Sequence, residues 1–496
     1  MQWVWLLVLS CFYYLCSGYK TIIFIITTTI VTYFAGVFLN KENERIKNIP
    51  AQADRSEKKK IKEDVKRRKK LIVALLLVII FGILAVIKYH TFAIENINAV
   101  IGVFTGKYDT IPTFKLLLPL GISFYTFQSA GYIIDVYRDK YECCNNIFKF
   151  ALFVSFFPQI MQGPIGRYDR LSPQFNEPHY FSLENTEYGL QLMLWGFFKK
   201  IVIADRIGVV ADKVFLHPYD YNGIFVIVGV LAYCLQLYAD FSGGMDVVSG
   251  AAELYGIKLD KNFRQPFFSK SISEFWRRWH ITLGTWMKDY VFYPFSLSKK
   301  MMKFSKFMKK HLGTFAGKTL PICLADLLIF FLVGVWHGAA WKFIVYGMYN
   351  GIIIAASSLL EPVYEKMFKV THINKNAKWY RVFQIIRTFI LVNIGWFFDD
   401  AANLKEVFVN FSIKPLFDGS VRAMMEFSSM DMLAIAVGIA ALFIVGVINE
   451  KGIDIRKSLA KKPLILRWAV YLMLVMSIPV LGYVSAETGG FLYAQF

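Results

Sequence analysis

Apolar residues in this chain fall into long runs separated by short polar stretches. A run of about 18 or more apolar residues is long enough to cross a bilayer as a helix. Such runs predict spans at 3–16, 21–39, 71–89, 113–136, 149–165, 187–204, 222–242, 320–341, 343–362, 383–398, 431–448 and 468–486. The expected fold is all-α, a polytopic integral membrane protein of about 11–12 transmembrane helices forming a single membrane domain over 1–496. The stretch 245–292 departs from the pattern, mixing Pro266 with arginines and several tryptophans. It is too polar to face lipid and predicts re-entrant or interfacial helices packed inside the protein. No Lys or Arg precedes the apolar residues 1–16 and no small-residue cleavage site follows them, which predicts a short first membrane helix rather than a cleaved signal. No internal repeat is visible, which argues against an inverted-repeat transporter.

The polar stretches orient these spans. Residues 41–70 carry thirteen Lys or Arg against six acids, and 299–310 carry six Lys and no acid. Residues 451–467 add Lys451, Arg456, Lys457, Lys461, Lys462 and Arg467. All three are expected in the cytoplasm by the positive-inside rule. Residues 399–431, with Asp399, Asp400, Glu406, Asp418, Glu426 and Asp431, are expected outside. That puts the N-terminus inside and the C-terminus outside. The run 54–70 also reads as an amphipathic or disordered basic segment drawn to anionic membrane lipids.

Composition agrees: 56% of residues are apolar and 19% charged, where soluble domains average about 45–50% and 25%. A soluble enzyme, a secreted disulfide scaffold and a disordered chain are excluded. A net charge of +20 would suggest nucleic acid in a soluble protein. Here the bases lie between apolar runs, so topology explains them and no nucleic-acid partner is expected. The six cysteines show neither zinc spacing nor CxxC and read as small buried hydrophobes.

Standard catalytic motifs are missing: no GxSxG, HExxH or Rossmann glycine run occurs. Gly313 to Thr319 imitates a phosphate-binding loop but has three residues between its glycines instead of four, and no strand precedes it. Two histidines stand out. His337 lies near the end of an apolar span, in Val335-Trp336-His337-Gly338. An ionisable group at membrane depth is a functional candidate by default; the plainer reading is a neutral imidazole bonded to a neighbouring helix. Gly334 and Gly338 remove bulk beside it, which allows close approach of backbone or of substrate. His280 ends the string Phe275-Trp276-Arg277-Arg278-Trp279-His280. On a helix, Trp276 and His280 share a face, and Glu274 pairs with Arg278. Trp276 and Trp279 could frame an acyl or nucleotide group, and Arg277 and Arg278 could grip phosphates. The equal alternative is an interfacial helix with snorkelling arginines and belt tryptophans. Two histidines without metal-ligand companions suggest acid–base work rather than a metal site. Asp240, Asp246 and Asp326 also lie at membrane depth and could orient a histidine or line a wet cavity.

These residues resemble the membrane-bound O-acyltransferase family, in particular its bacterial branch of alginate O-acetylation membrane subunits. The motifs are Leu118-Pro-Leu-Gly121 to Gln128, Asp135-Val-Tyr-Arg138, Phe156-Phe-Pro158-Gln159 to Arg167, and Leu194-Trp-Gly-Phe-Phe-Lys199-Lys200 to Arg206. The strongest block runs from Asp240-Phe-Ser-Gly243 through Asn262-Phe-Arg-Gln-Pro266 to His280 and Trp286-Met-Lys-Asp289-Tyr290. Trp336-His337-Gly338 and the aromatic end Gly490 to Phe496 complete it. Family members usually carry one more N-terminal helix. Asp399-Asp400 follow Trp396-Phe-Phe where a basic residue is common in the family.

The resemblance implies helices around a central funnel, with His337 at the family's catalytic histidine and His280 at its second signature histidine. It implies acetyl transfer across the membrane, from a cytoplasmic thioester to hydroxyls of a cell-surface polysaccharide. The donor would be acetyl-CoA or an acyl carrier protein, with no tightly bound cofactor. Asn262, Asp240, Trp276, Arg277, Arg278, Trp279 and Trp336 are the expected donor- and substrate-binding residues. A bacterial plasma-membrane location and an extracytoplasmic acyltransferase partner are further expectations. D-alanyl transfer from a carrier protein to teichoic acid is the alternative within the family. A glycan or lipid transporter, or a non-catalytic scaffold, is the alternative outside it.

Overall fold

The computed structural model describes residues 2–50, 54–114, 116–160, 162–216, 224–401, 428–483 and 490. No strand occurs among them, and eight helices are long and apolar enough to cross a membrane. The protein is therefore an all-α, multi-pass membrane protein. Its packing divides into two compact units, Met1–Asn185 with Ala252–Asp260, and Thr186–Ala251 with Lys261–Phe496. Glu406, Asp418, Glu426 and the aromatic residues after Gly490 lie outside the described residues.

In the first unit, Gln2–Gly18 (α1) and Ile22–Lys47 (α2) are followed by Arg55–Thr105 (α3), a continuous helix of 51 residues. At 1.5 Å per residue α3 is about 77 Å long, so it extends well beyond the ~30 Å hydrocarbon layer. The basic run is its first four turns rather than a disordered loop. Asp54 caps it by accepting from Ser56 N at 3.2 Å, and Gly106, at φ 72°, closes it through Gly102 O.

Two expected spans are shorter than the hydropathy implied. The run 113–136 contributes only Ile122–Tyr137 (α4). Pro112 and Pro119 keep the preceding residues out of a helix, and Gly121 turns at φ 67° against Ile160 O. α4 is buried on nearly every side, including Ser123, Thr126, Gln128 and Ser129. It forms the core of this unit and does not face lipid. The run 149–165 breaks into Ile147–Ser155 (α5) and Phe157–Ile160 (α6). Phe156 leaves the helical region (φ −51°, ψ 111°), because Pro158 has no N–H to offer and crowds the turn before it. Tyr168–Asn176 (α7) then packs against α5.

In the second unit, Leu183–Phe197 (α8) runs through a π-helical turn, Phe198–Ala204, into Asp205–Leu216 (α9). Gly196 meets Gly243 of Ile224–Leu254 (α10) at the contact of these helices, a small-residue crossing of the kind that lets membrane helices approach closely. α10 continues to Leu254, so the irregular signature region starts after that residue and not at 245. It holds Ile272–Arg278 (α11), Ile281–Met287 (α12), a π turn at Lys288–Phe292 and Tyr293–Ser296 (α13).

Lys299–His337 (α14) is a hairpin of two helices. Gly313, at φ 87° and ψ 173°, reverses the chain, and Ser305 Oγ donates to Gly317 O at 2.7 Å. The lysine-rich loop expected at 299–310 is thus helical, and the phosphate-loop imitation is its turn. Trp341–Leu359 (α15) packs along α14. Gly334 accommodates Phe343 O, Gly338 the Phe343 ring, and Gly347 the Phe330 carbonyl. The glycines flanking His337 therefore admit a neighbouring helix and not substrate. Gly347→Ala places a methyl on Phe330 O, and we expect it to cost about 1–3 kcal/mol, read as a lower melting temperature in detergent; an unchanged melting temperature refutes this packing.

Glu361–Thr371 (α16), Lys378–Asp400 (α17), Ser429–Glu450 (α18), Ile455–Ala460 (α19) and Leu464–Leu481 (α20) complete the unit. Asp399 lies in the last turn of α17 and is 3% exposed, so it is no loop acid. Asp431 caps α18 with Ser428 and pairs with Arg206. Among the cysteines, Cys143, Cys144, Cys234 and Cys323 are buried, whereas Cys11 and Cys16 on α1 are exposed.

Candidate active site

The two histidines and the seven expected binding residues all lie in the second unit. α11 begins at Ser271, whose Oγ accepts from Glu274 N at 3.1 Å. It stops at Arg278, because Trp279 is extended (φ −106°, ψ 131°) and His280 is left-handed (φ 45°, ψ 53°). Trp276 and His280 therefore do not share a helical face. His280 sits at the junction of two short helices, in a conformation that costs a non-glycine residue roughly 1–2 kcal/mol.

Asn262 holds that junction. Its Oδ1 accepts from Thr282 N at 3.0 Å and Thr282 Oγ1 at 2.9 Å and lies 3.2 Å from His280 Nδ1. Its backbone O accepts from Ile281 N at 3.0 Å. The backbone N–H of Thr282 identifies the Asn262 atom as the oxygen, so His280 Nδ1 is the donor and Nε2 is left as the basic nitrogen. Burial pushes the His280 pKa down to about 3, with a smaller contribution from His337. His280 is thus a neutral imidazole at physiological pH. Asn262 positions a histidine here rather than contacting substrate.

His337 is the last residue of α14 and is 3% exposed. Its ring lies 5.3 Å from Trp336 and 5.4 Å from Tyr346, both edge-on. Trp336 is also 5.6 Å from the His280 ring, and Phe241 stands 4.9 Å from His280 on α10. The two imidazoles, far apart in sequence, thus flank one indole in an aromatic, nearly dry surround.

The remaining candidates separate. Trp276 Nε1 donates to Asn350 Oδ1 at 3.1 Å, and its ring meets Phe330 and Tyr346. Trp279 is 1% exposed among Phe263, Phe275 and Trp396 and is a core residue. Arg278 spends its guanidinium on carboxylates: Glu450 at 2.7 Å and 3.2 Å, and Glu274 at 2.8 Å in the expected i, i+4 pair. Arg277 is exposed and donates to Ser273 Oγ at 2.8 Å, leaving the guanidinium of Arg277 the better placed of the two to meet a phosphate. Asp240 is 1% exposed and bound by Lys200 Nζ at 2.6 Å, which also reaches Asp205 at 2.7 Å and Gly490 O at 2.7 Å. Lys199 likewise holds Asp246 at 2.6 Å. These paired charges, presented from the π turn, read as buried ion pairs that brace α8 against α10.

Sequence reasoning missed Asp399. Its Oδ1 lies 3.9 Å from His337 Nδ1, and its Oδ2 accepts from Tyr233 Oη at 2.8 Å. The carboxylate beside the histidine is this one and not Asp240, Asp246 or Asp326. The available signal was its place just after Trp396-Phe-Phe, at the end of an apolar run.

The chain is similar to several known proteins. It is 36% identical to "Probable alginate O-acetylase AlgI" of Azotobacter vinelandii over 322 residues, 65% of this chain and 58% of that protein. It is 32% identical to a peptidoglycan O-acetyltransferase of Helicobacter pylori, covering 65% of this chain and 60% of that one. It is 29% identical to a teichoic acid D-alanyltransferase of Bacillus subtilis, covering 58% and 69%. The chain thus spans less than two thirds of the length of the first two relatives. The sequence model of the membrane-bound O-acyltransferase family matches residues 144–394, about half of the chain and both histidines. On that match, the chain belongs to the membrane-bound O-acyltransferase family.

Proposed function

We propose that the protein is an O-acyltransferase of the bacterial plasma membrane that moves acetyl from a cytoplasmic thioester to hydroxyls of a cell-surface polysaccharide, directly or through an extracytoplasmic partner protein. The observation that carries this reading is the pair of buried imidazoles, His280 and His337, both against Trp336. The alginate and peptidoglycan relatives favour acetyl as the group and a glycan as the acceptor. In the reaction, His337 takes the proton of the acceptor hydroxyl as its oxygen attacks the thioester carbonyl. The carbon–sulfur bond breaks and the departing thiolate takes up that proton. His280, neutral and with Nε2 basic, assists by positioning or by a second proton transfer. Excluding water from the site strengthens each of these interactions.

The donor is acetyl-CoA or an acyl carrier protein, used as a co-substrate. Arg277 suits its phosphates. Arg277→Ala is expected to raise the apparent KM for donor about 20-fold, the loss of one charge-assisted hydrogen bond, with kcat and acceptor KM unchanged. An unaltered donor KM returns Arg277 to the helix surface.

A second reading is D-alanyl transfer to teichoic acid, favoured by the Bacillus relative; the basic helix 299–312 would then meet an acidic carrier protein. Mild alkali releases esters from surface polymers of cells carrying the wild-type or the His337→Ala chain, and mass spectrometry identifies them. Acetate lost only in the mutant supports the proposal. D-alanine lost instead selects the second reading. No difference, with both chains in the membrane, overturns both in favour of a scaffold or transporter.

A further inference from the structure

His337 is met by one carboxylate that the proposed chemistry has not used. Asp399 lies in the last turn of α17 and is 3% exposed. Its Oδ2 is fixed by the Tyr233 hydroxyl of α10 at 2.8 Å, and its Oδ1 stands 3.9 Å from His337 Nδ1. Three helices, α10, α14 and α17, thus converge on one imidazole edge. Phe397 and Tyr233 both pack against Phe215 beside this contact. The charged groups acting on the acid pair at the end of α17 are Lys342 on α15, which faces both Asp399 and Asp400, and Asp212 on α9, which faces Asp400. His280, a neutral imidazole, lies on the other side of Trp336, its ring 5.6 Å from the indole.

A carboxylate buried this deeply is costly unless it is paired. A tyrosine hydroxyl holds one oxygen and leaves the other to the histidine. From this geometry we infer that Asp399 is a positioning residue for the transfer reaction: it keeps His337 in the Nδ1–H tautomer, with Nε2 free of its proton, and stabilises the imidazolium that forms. The inference rests on the proposed acyltransferase reading and deepens it. As the acceptor O–H breaks, its proton goes to Nε2, and the charge that appears on the ring is balanced by the carboxylate across Nδ1. The proton then leaves with the thiolate, and Asp399 ends the cycle ionised as it began. Tyr233 sets the rotation of the carboxylate so that Oδ1 and not Oδ2 meets the ring. At 3.9 Å the contact is longer than a hydrogen bond, in keeping with catalytic contacts that tighten only when substrate is bound.

The test uses the full-length protein in membranes, with acetyl-CoA as donor and release of free CoA as the readout. Asp399→Asn keeps shape and the hydrogen bond from Tyr233 but removes the charge. It is expected to lower kcat about 100-fold while both KM values stay within about twofold, since only the proton transfer is disturbed. Asp399→Glu, which restores the charge, is expected to recover part of that loss. Tyr233→Phe, which frees the carboxylate to rotate, is expected to lower kcat about fivefold. A structural role for Asp399 would instead reduce the amount of folded protein and leave kcat per folded molecule intact, which overturns the inference. So does Asp399→Asn with kcat within twofold of wild type while His337→Ala is inactive. If His337→Ala itself retains kcat, the acyltransferase reading falls and takes the inference with it.

Discussion

His337→Ala is expected to lower acyl transfer about 1,000-fold at unchanged abundance in the membrane. Loss of a positioned general base typically costs 100- to 10,000-fold. The surround of His337 argues for the middle of that range. The residue is 3% exposed and enclosed by Trp336, Phe343 and Tyr346, so bulk water is poorly placed to take the proton instead. The backbone should tolerate the change, because His337 ends its helix and Gly338 beyond it is extended at φ 179°. The measurement is turnover per folded molecule, with abundance from an immunoblot and folding from size-exclusion chromatography. Activity within tenfold of wild type would remove His337 from the reaction.

The second large effect concerns stability. Arg278→Ala is expected to destabilise the protein by roughly 3 kcal/mol, because it takes from Glu274 and Glu450 their shared cation and leaves Glu450 only Arg381 at 3.9 Å. Burial alone would raise the Glu274 carboxyl; the Lys270 N–H and Arg278 hold it below the usual range. Arg278 also ties α11 to the end of α18 and donates to Gln265 O at 3.3 Å. Arg278→Lys should recover only part of the loss, since an ammonium lacks the fork that engages Glu450 at both oxygens. Thermal unfolding in detergent reads the effect. A stable Arg278→Ala protein with weakened donor use would give this arginine back its phosphate-binding role.

The difference between Arg278 and Arg277 could not be read from the string Trp-Arg-Arg-Trp-His. Local spacing predicted the Glu274 pair, but Glu450 lies 172 residues away, and nothing in the chain announces it. The long apolar runs were legible for the opposite reason. Residues 383–398 fall within Lys378–Asp400, and 431–448 within Ser429–Glu450, because in lipid an apolar run must satisfy its own backbone and the helix is the way to do so. Where prolines interrupted a run, as at Pro119 and Pro158, hydropathy averaged over the break and promised one span where the chain turns. His280 was legible as a candidate but not as a left-handed residue, since its conformation is imposed by Asn262 and not by its neighbours in sequence. Asp399 was read as a loop charge: a hydropathy window sees a carboxylate at the end of a run, not the tyrosine and histidine that other helices bring to it.

The length of Arg55–Thr105 has a mechanical consequence. Its basic turns, residues 55–70, join the lipid-crossing part with no hinge, so the two move as one rod. An arm of about 24 Å that swings with a 10° change in helix tilt shifts its tip by about 4 Å. Rotation is transmitted just as stiffly. One residue inserted near position 70 would turn the entire lysine-bearing face by about 100° and swing its charges off whatever surface they meet. Whatever grips the arm, an anionic headgroup or an acidic protein, would be turning a crank whose other end lies at the depth of the bilayer.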